Sequence, residues 1–447
     1  MKKRILRAAA LLLSLACLIL PAAAAGEAVA LRGIAEDSVP DANGIGAAAV
    51  WNIENETFVY EHNVDAPLAP ASLTKLMTAV CAYEVLGGRM DETLTVEYGM
   101  IAAASGNQVG YYVGETVTVR DLFGGLLTRG ANDCAYLLAY AADGGTDAFV
   151  ARMNEKAAAL GMSATVYKNP TGMNAEGAVT TARDSIRVAA AFHAIPALTA
   201  LSSSVQYEMP ATNKAAARII YNRNALVSRV SETGYFDARV TGLNAGSTVE
   251  SGYYAASAVG SETLHYVIAV LGAAEAEGRN LAYTYTSKLA DYALSRFGYI
   301  EVIKAAGAVC ELPVTLSSTA DYVALVPATS LTLYLPLSTD VDTELVKTVR
   351  LDHESLEAPV EAGRAVGVYS VSRGGELLGS VDLVTKNALP RSEFLVVLRS
   401  IEDFTTGVFF LSTVAAAVVL TLLYFLIRAL MRRREGRRGA PRHYRSR

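Results

Sequence analysis

The stretch Pro70-Ala71-Ser72-Leu73-Thr74-Lys75-Leu76-Met77-Thr78 decides how this chain is interpreted. Ser72 stands three residues before Lys75, and apolar residues at 73, 76, 77 and 80 repeat with helical spacing. On a helix that begins here both polar side chains share one face, and the serine sits at the positive end of the helix dipole. An unprotonated lysine amine can then take the serine proton as the oxygen attacks a carbonyl. The stretch predicts a nucleophilic serine, although Ser72 can also serve simply as a helix cap.

The first residues of the chain are typical of export. Four basic residues among the first seven precede an uncharged apolar stretch over 8–20, which is followed by Pro21 and four alanines. This pattern predicts a secretory signal peptide over residues 1–25. An uncleaved anchor is the alternative, and the apolar stretch is short for a membrane span.

The last residues of the chain predict a membrane anchor. Residues 405–427 carry no charge, and at about 1.5 Å per residue they cross the hydrocarbon core of a bilayer as a helix. Nine arginines and one acid follow in residues 428–447, which predicts a cytoplasmic tail and an extracytoplasmic body. Nucleic-acid binding by these arginines is the alternative, and the adjoining span disfavours it.

Between these two ends the chain is acidic. Residues 8–427 hold 26 Lys and Arg against 43 Asp and Glu, a net charge of about −17. No nucleic-acid partner is therefore predicted, and an anionic substrate group needs local positive charge. The cysteines are too few for a disulfide framework and the five histidines are dispersed, so no metal and no cofactor are predicted.

The pattern of elements predicts two domains before the anchor. In residues 26–298, strand patterns near both ends enclose a run of helical patterns, which favours an α+β fold. The strands are expected over 47–53, 57–60, 252–259 and 264–271, and the helices over 72–86, 119–141, 146–159, 181–192 and 280–297. Residues 299–400 contain short β-rich runs typical of a small β-sandwich, which we interpret as a spacer or packing module.

Motifs elsewhere strengthen the serine-lysine pair, which alone arises by chance about once in a few hundred residues. With residues 70–78 they make the chain resemble the low-molecular-mass penicillin-binding proteins, the serine-type D-alanyl-D-alanine carboxypeptidases of peptidase family S11. These motifs occupy residues 114–122, 131–133, 169–173, 180–184, 222–224 and 356–363. The resemblance implies a β-lactamase/transpeptidase-like domain, with an antiparallel sheet flanked by helices, and a β-rich C-terminal domain. It also implies trimming of peptidoglycan stem peptides, and it makes β-lactams expected ligands.

Two of the family's three active-site motifs are degenerate here. Where the family has serine-x-asparagine this chain has Gly130-Ala131-Asn132, and where it has lysine-threonine-glycine this chain has Asn244-Ala245-Gly246. Ser105-Gly106-Asn107 matches the second motif literally, but it precedes residues 114–122, where the family has a surface loop. We therefore interpret it as a coincidence.

The resemblance assigns roles to these positions. It makes Ser72 the acylated nucleophile, Lys75 the general base and Asn132 the residue that orients Lys75 and the substrate amide. The backbone N–H of Ser72 and one from the strand after Gly246 would form the oxyanion hole. The substrate-binding positions are Gly130, Asn244, Ala245 and Gly246.

The degenerate residues predict weak activity. In the family the lysine and threonine of the third motif bind the substrate carboxylate, and losing one hydrogen bond to a charged group costs about 1.5–3 kcal/mol. Without the lysine charge, Lys75 is expected to move toward a pKa of about 10.4, which leaves under about one per cent free base at neutral pH. Gly130 also lacks a hydroxyl that could relay a proton to the leaving amine.

The sequence leaves two questions open: which residue replaces the missing lysine of the third motif, and which of two functions the chain has. Arg129 and His265 are candidates for the missing cation, whereas Arg239 falls on the opposite strand face from Asn244. The chain is either an enzyme of the family or a catalytically silent, membrane-anchored protein of the same fold that binds the wall or acts as a scaffold.

Overall fold

The computed structural model describes residues 39–230, 232 and 234–438, with side chains up to residue 432. The predicted signal peptide and the last nine residues of the predicted tail lie outside the described residues. The chain divides into two compact units, one reaching Gly298 and including Tyr334–Ser338, and one made of Tyr299–Leu333 and the chain from Thr339 onward.

The first unit mixes helices and strands along its whole length. Its helices are α1 (Thr74–Leu86), α2 (Tyr98–Ile101), α3 (Val119–Gly124), α4 (Asn132–Asp143), α5 (Thr146–Ala159), α6 (Ala182–His193), α7 (Pro196–Ser203) and α8 (Leu281–Arg296). Its strands are β1 (Ala47–Asn52), β2 (Thr57–His62), β3 (Thr93–Thr95), β4 (Thr116–Thr118), β5 (Gln206–Met209), β6 (Arg218–Tyr221), β7 (Val240–Thr248), β8 (Gly252–Gly260), β9 (His265–Ala273), β10 (Glu275–Ala276) and β11 (Arg279–Asn280). The predicted α+β fold is confirmed.

One antiparallel sheet, in the order β2-β1-β9-β8-β7, forms the scaffold of this unit. Its central strands are apolar at successive positions because both faces of the sheet are covered. Ala47 and Ala49 pack into the core shared with helices α1, α4 and α6, whereas Ala48 and Val50 pack into the core under α8. β7 lies at the edge of the sheet, so one of its sides is free for a ligand strand.

Helix α1 runs through the interior rather than along a surface. Its residues from Thr74 to Ala82 are all buried, and the short 3₁₀ turn Ala71–Leu73 leads into it. The helix expected over residues 72–86 is therefore present, but the apolar residues at 73, 76, 77 and 80 do not mark one buried face, because the helix is buried on all sides at this end. Helices α4, α5 and α6 cover the polar side of α1 as well, which takes Lys75 out of water.

The long helix expected over residues 119–141 is wrong, and its interruption shapes the site. Helix α3 is followed by a π-helical turn, Gly125–Arg129, and Gly130 then adopts a left-handed conformation with φ 69°. Glycine adopts this conformation without steric cost, so it ends one helix and lets the next begin at Asn132. The break places Gly130 and Asn132 beside each other at the start of α4.

The second unit is the predicted C-terminal β domain. The strands in this part of the chain are β12 (Phe297–Ile303), β13 (Cys310–Thr315), β14 (Tyr322–Pro327), β15 (Leu331–Pro336), β16 (Val346–Leu351), β17 (Leu356–Glu357), β18 (Ala365–Arg373) and β19 (Glu376–Thr385). The start of β12 and the end of β15 are counted with the first unit. A six-stranded sheet has the order β16-β18-β19-β14-β13-β17 and surrounds a core that includes Leu325, Val366 and Leu383.

Two helices end the described chain, α9 (Glu393–Thr406) and α10 (Val408–Arg438). Within the described residues, one helix, Val408–Arg432, is by itself long and apolar enough to cross a membrane. The span begins three residues after the expected residue 405, because Gly407 has extended backbone and separates the two helices.

Candidate active site

The residues singled out from the sequence meet in one cleft of about 440 Å³ in the first unit. The turn before α1 supplies Ser72, α1 supplies Lys75, and the break before α4 supplies Gly130 and Asn132. Edge strand β7 supplies the wall that carries residues 244–246. Other residues lining the cleft are Gly106, Asn107, Leu127, Thr128, Arg129, Met173, Ser202, Asn222, Arg223, Asn224, Leu243 and Ser247–Glu250.

Ser72 and Lys75 form a close pair at the base of the cleft. The Nζ atom of Lys75 lies 2.9 Å from the Oγ atom of Ser72 and 2.7 Å from the backbone oxygen of Thr171. Lys75 is only 2% exposed, and this burial lowers the pKa of its ammonium group to about 7. A pKa of about 7 leaves roughly half of the lysine as free base at neutral pH. The expectation that Lys75 stays fully protonated without a lysine at position 244 is therefore wrong, because desolvation alone lowers the pKa.

A loop at residues 169–173 holds Lys75 in place. The side-chain oxygen of Asn169 accepts hydrogen bonds from the backbone N–H groups of Thr171 and Gly172, at 3.1 and 2.7 Å, which folds the loop into a tight turn. The hydroxyl of Thr78 on α1 donates to the backbone oxygen of Pro170, at 2.7 Å. This loop, rather than Asn132, directs a hydrogen-bond acceptor at the amine of Lys75.

The same loop also fixes the backbone at the nucleophile. A Cβ atom on Gly172 would lie 1.7 Å from the backbone oxygen of Ala71, so only glycine permits this contact. Ala71 itself has φ 45°, a conformation that non-glycine residues rarely adopt. The backbone immediately before Ser72 is thus held by its surroundings in an uncommon conformation.

The second motif keeps an asparagine but presents it differently from the expectation. The side-chain nitrogen of Asn132 donates to the backbone oxygen of Ser105, at 2.6 Å, and its backbone N–H donates to the oxygen of Asn107, at 2.7 Å. The backbone of segment 105–107 therefore holds Asn132 in place through these two hydrogen bonds. Asn107 also lines the cleft, whereas Ser105 is exposed and does not line it.

Buried polar atoms without a partner surround the cleft. They are the hydroxyl oxygen of Thr128, the side-chain oxygens of Asn132 and Asn244, and the side-chain nitrogen of Asn224. Such atoms are costly unless a ligand or water satisfies them. Three acceptors and a donor of this kind can hydrogen-bond the amides of a peptide that lies along β7.

Two arginines supply positive charge in the cleft. The first is Arg129, whose Nε donates to the backbone oxygen of Gln108, at 2.7 Å. The second is Arg223, whose backbone N–H donates to the backbone oxygen of Thr128, at 3.1 Å. His265 is not among the lining residues, and its Nδ1 lies 2.6 Å from Glu54. His265 therefore does not replace the missing lysine.

Several site residues were not singled out by the sequence reasoning. Residues 169–173 and 222–224 were recognised as motifs, but no chemistry was assigned to Thr171, Arg223 or Asn224. Tyr254 on β8 was missed as well, although it packs in one core with Ala71 and Leu73, the neighbours of Ser72. Tyr254 pairs with Gly246 on the neighbouring strand β7. No local sequence pattern could have predicted this contact, because it exists only in the folded sheet.

The two units match different family models. A family described as D-alanyl-D-alanine carboxypeptidase matches residues 38–275, and the C-terminal domain of penicillin-binding protein 5 matches residues 299–391. The first match covers more than half of the chain.

Curated relatives and solved structures agree with these matches. The chain is 26% identical over 361 residues to the D-alanyl-D-alanine carboxypeptidase DacF of Bacillus subtilis, covering 79% of this chain and 88% of the relative. It is 27% identical over 343 residues to DacA of Escherichia coli, covering 75% and 81%. The crystal structure of DacD from Francisella tularensis shares the fold with a TM-score of 0.58 and 21% identity, covering 82% of this chain and 98% of that one.

Proposed function

Because the chain belongs to the D-alanyl-D-alanine carboxypeptidase family, peptidase family S11, we propose that it removes the terminal D-alanine from peptidoglycan stem peptides through an acyl-enzyme on Ser72. The observation that carries this proposal is the buried Lys75 amine, 2.9 Å from the Ser72 hydroxyl oxygen and with a pKa of about 7. A free amine at this distance is a competent base for a serine nucleophile.

The reaction follows from the positions of these groups. Lys75 accepts the Ser72 proton while the serine oxygen attacks the carbonyl carbon between the two D-alanines. The backbone N–H of Ser72 and one from the strand after Gly246 stabilise the oxyanion. As the tetrahedral intermediate collapses, the proton on Lys75 passes to the leaving amine of D-alanine. Water then attacks the ester, Lys75 takes its proton, and Ser72 regains a proton as it leaves.

We assign recognition of the terminal carboxylate to Arg223. Asn244 and Ala245 carry no charge, whereas Arg223 lines the same cleft and its guanidinium has the paired donors that suit a carboxylate. Asn224, Thr128 and Asn132 contribute polar atoms that lack a partner in the protein. Arg129 is the weaker candidate because its Nε is already engaged by the backbone of Gln108.

We further propose that helix Val408–Arg432 anchors the protein in the cell membrane. Its mean hydropathy of 2.4 and its arginine-rich continuation support a single span with a cytoplasmic tail. The catalytic unit would then lie outside the membrane, where its substrate is found.

A labelled penicillin tests the proposed function. The purified protein in detergent should form a covalent adduct, and Ser72→Ala should abolish it. Ser105→Ala is the matched control, because this serine belongs to the literal serine-x-asparagine match but its side chain is exposed, so labelling should persist. Absence of an adduct, together with no D-alanine release from a diacylated pentapeptide, would instead favour the catalytically silent scaffold.

A further inference from the structure

Tyr254 passes beneath edge strand β7 and ends beside the nucleophile. It pairs with Gly246 in the register of β7 and β8. A Cβ atom on Gly246 would lie 2.6 Å from the Tyr254 hydroxyl oxygen and 3.2 Å from the ring carbon that bears it. Only a glycine leaves room for this side chain. The one residue of the third motif that this chain retains is thus the one that lets Tyr254 reach the site.

Strand β8 contacts the turn Ala71–Leu73, and Tyr254 shares a buried core with Ala71 and Leu73, which places its side chain next to the segment that carries Ser72. Tyr254 is 3% exposed, packs into the core around α1 and is not among the residues that line the cleft. Its side chain therefore lies behind the residues that line the cleft.

The position of this hydroxyl has a chemical meaning. It lies against Gly246 on β7, and its strand contacts the turn that carries Ser72, so it is close to both segments from which the oxyanion donors are expected. We propose that the Tyr254 hydroxyl is a further catalytic group of this site, a side-chain hydrogen-bond donor to the oxygen that becomes negatively charged when Ser72 attacks. The inference rests on the proposed function, because it concerns the same acylation step.

A tyrosine is suited to this role. A phenol O–H is a hydrogen-bond donor that can turn its proton toward the oxyanion, while the backbone N–H of Ser72 stays available for the same oxygen. Burial raises the pKa of Tyr254, so the phenol keeps its proton throughout the working range of Lys75. The proton of Ser72 still passes to Lys75, and Tyr254 supplies a hydrogen bond without transferring a proton.

The test compares two tyrosines that are neighbours on β8. Tyr254→Phe removes the hydroxyl beside Ser72 and keeps the ring. Tyr253→Phe is the matched control, because the Tyr253 hydroxyl donates to Glu275, at 2.7 Å, and its ring packs with the core under α8. Removing one oxyanion donor should slow acylation by labelled penicillin roughly 10- to 100-fold in Tyr254→Phe, with the control near wild type.

Two further readings separate catalysis from folding. The final amount of adduct per protein in Tyr254→Phe should approach that of wild type, since a misfolded fraction would lower the amount rather than the rate. The rate should also fall by the same factor near pH 6 and near pH 9, because Tyr254 does not titrate there.

An acylation rate in Tyr254→Phe equal to that of wild type would overturn the inference. A faster rate would overturn it as well, because it would mean that the hydroxyl obstructs the site. A rate loss of the same size in Tyr253→Phe would overturn it too. No adduct in the wild-type protein would reject the proposed function and this inference with it, whereas a wild-type adduct with an unaffected Tyr254→Phe rejects the inference alone.

Discussion

The substitution Asn244→Lys measures what the degenerate third motif has lost, because it restores the missing charge alone. A further positive charge in the cleft, beside those of Arg129 and Arg223, disfavours the protonated form of Lys75, whose pKa is already about 7. If the pKa falls by about one unit, the free-base fraction at pH 7 rises from roughly one half to about nine-tenths, a gain below about twofold. At pH 6 the same shift raises it from about one-tenth to about one half, roughly fivefold.

The second effect of the new lysine concerns the substrate carboxylate. A hydrogen bond to a charged group contributes about 1.5–3 kcal/mol, which corresponds to roughly a 10- to 150-fold gain in kcat/KM. This gain applies only to a substrate with a free terminal carboxylate, whereas the gain through Lys75 applies to every acyl donor. The two effects are therefore separable by the choice of substrate.

The assay compares a diacylated D-alanyl-D-alanine peptide with its C-terminal amide, each near pH 6 and pH 7. Asn244→Met serves as the control, because it matches the length of lysine without its charge at a position that is buried. We expect Asn244→Lys to prefer the carboxylate substrate more strongly than the control at both pH values. We also expect it to gain more at the lower pH with either substrate. An unchanged carboxylate preference would refute the inference that a lysine at position 244 reaches the substrate carboxylate, and an unchanged pH dependence would refute the electrostatic coupling to Lys75.

Three further predictions concern the catalytic lysine, the second motif and the scaffold. The wild-type acylation rate should rise with pH through about 7 and then level off, because the free base of Lys75 is the active form, and a profile rising only above about pH 9 would contradict the lowered pKa. Lys75→Met should raise the free energy of unfolding by about 2–4 kcal/mol at pH 7, because burial of the lysine disfavours its charged form in the folded protein. Between about pH 7 and 10.4 the unfolded lysine binds more protons than the folded one, so this gain should shrink as the pH rises and disappear near pH 10. Gly130→Ser should lower the free energy of unfolding by about 1 kcal/mol, because φ is 69° at this position. It should nevertheless raise the rate of D-alanine release, because it supplies the missing relay hydroxyl and the new Cβ fits, its nearest atom lying 3.6 Å away on Asn107. A release rate that falls along with stability would contradict the relay role.

Local patterns in the sequence predicted much of the fold. The strand pair at residues 47–60 and helices α5, α6 and α8 were expected within a few residues of their observed bounds. These elements depend on the periodic spacing of apolar residues and on caps such as Thr181, whose side chain accepts from the backbone of Asp184. The helix expected over 119–141 failed because a π-helical turn and the left-handed Gly130 interrupt an otherwise continuous apolar pattern.

For the site, the sequence by itself determined the family, the serine-lysine pair and the two altered motifs, because these are short stretches whose spacing sets their local geometry. The protonation of Lys75 was decided only by the tertiary structure. Its pKa depends on burial by helices distant in sequence, and its orientation depends on Thr171, almost a hundred residues away. The position of Tyr254 beside Ser72 likewise arises from strand register across Gly246. Desolvation and close approach are properties of packed surfaces, so the folded chain lowers the pKa of Lys75 to about 7 where the sequence alone predicted a protonated lysine.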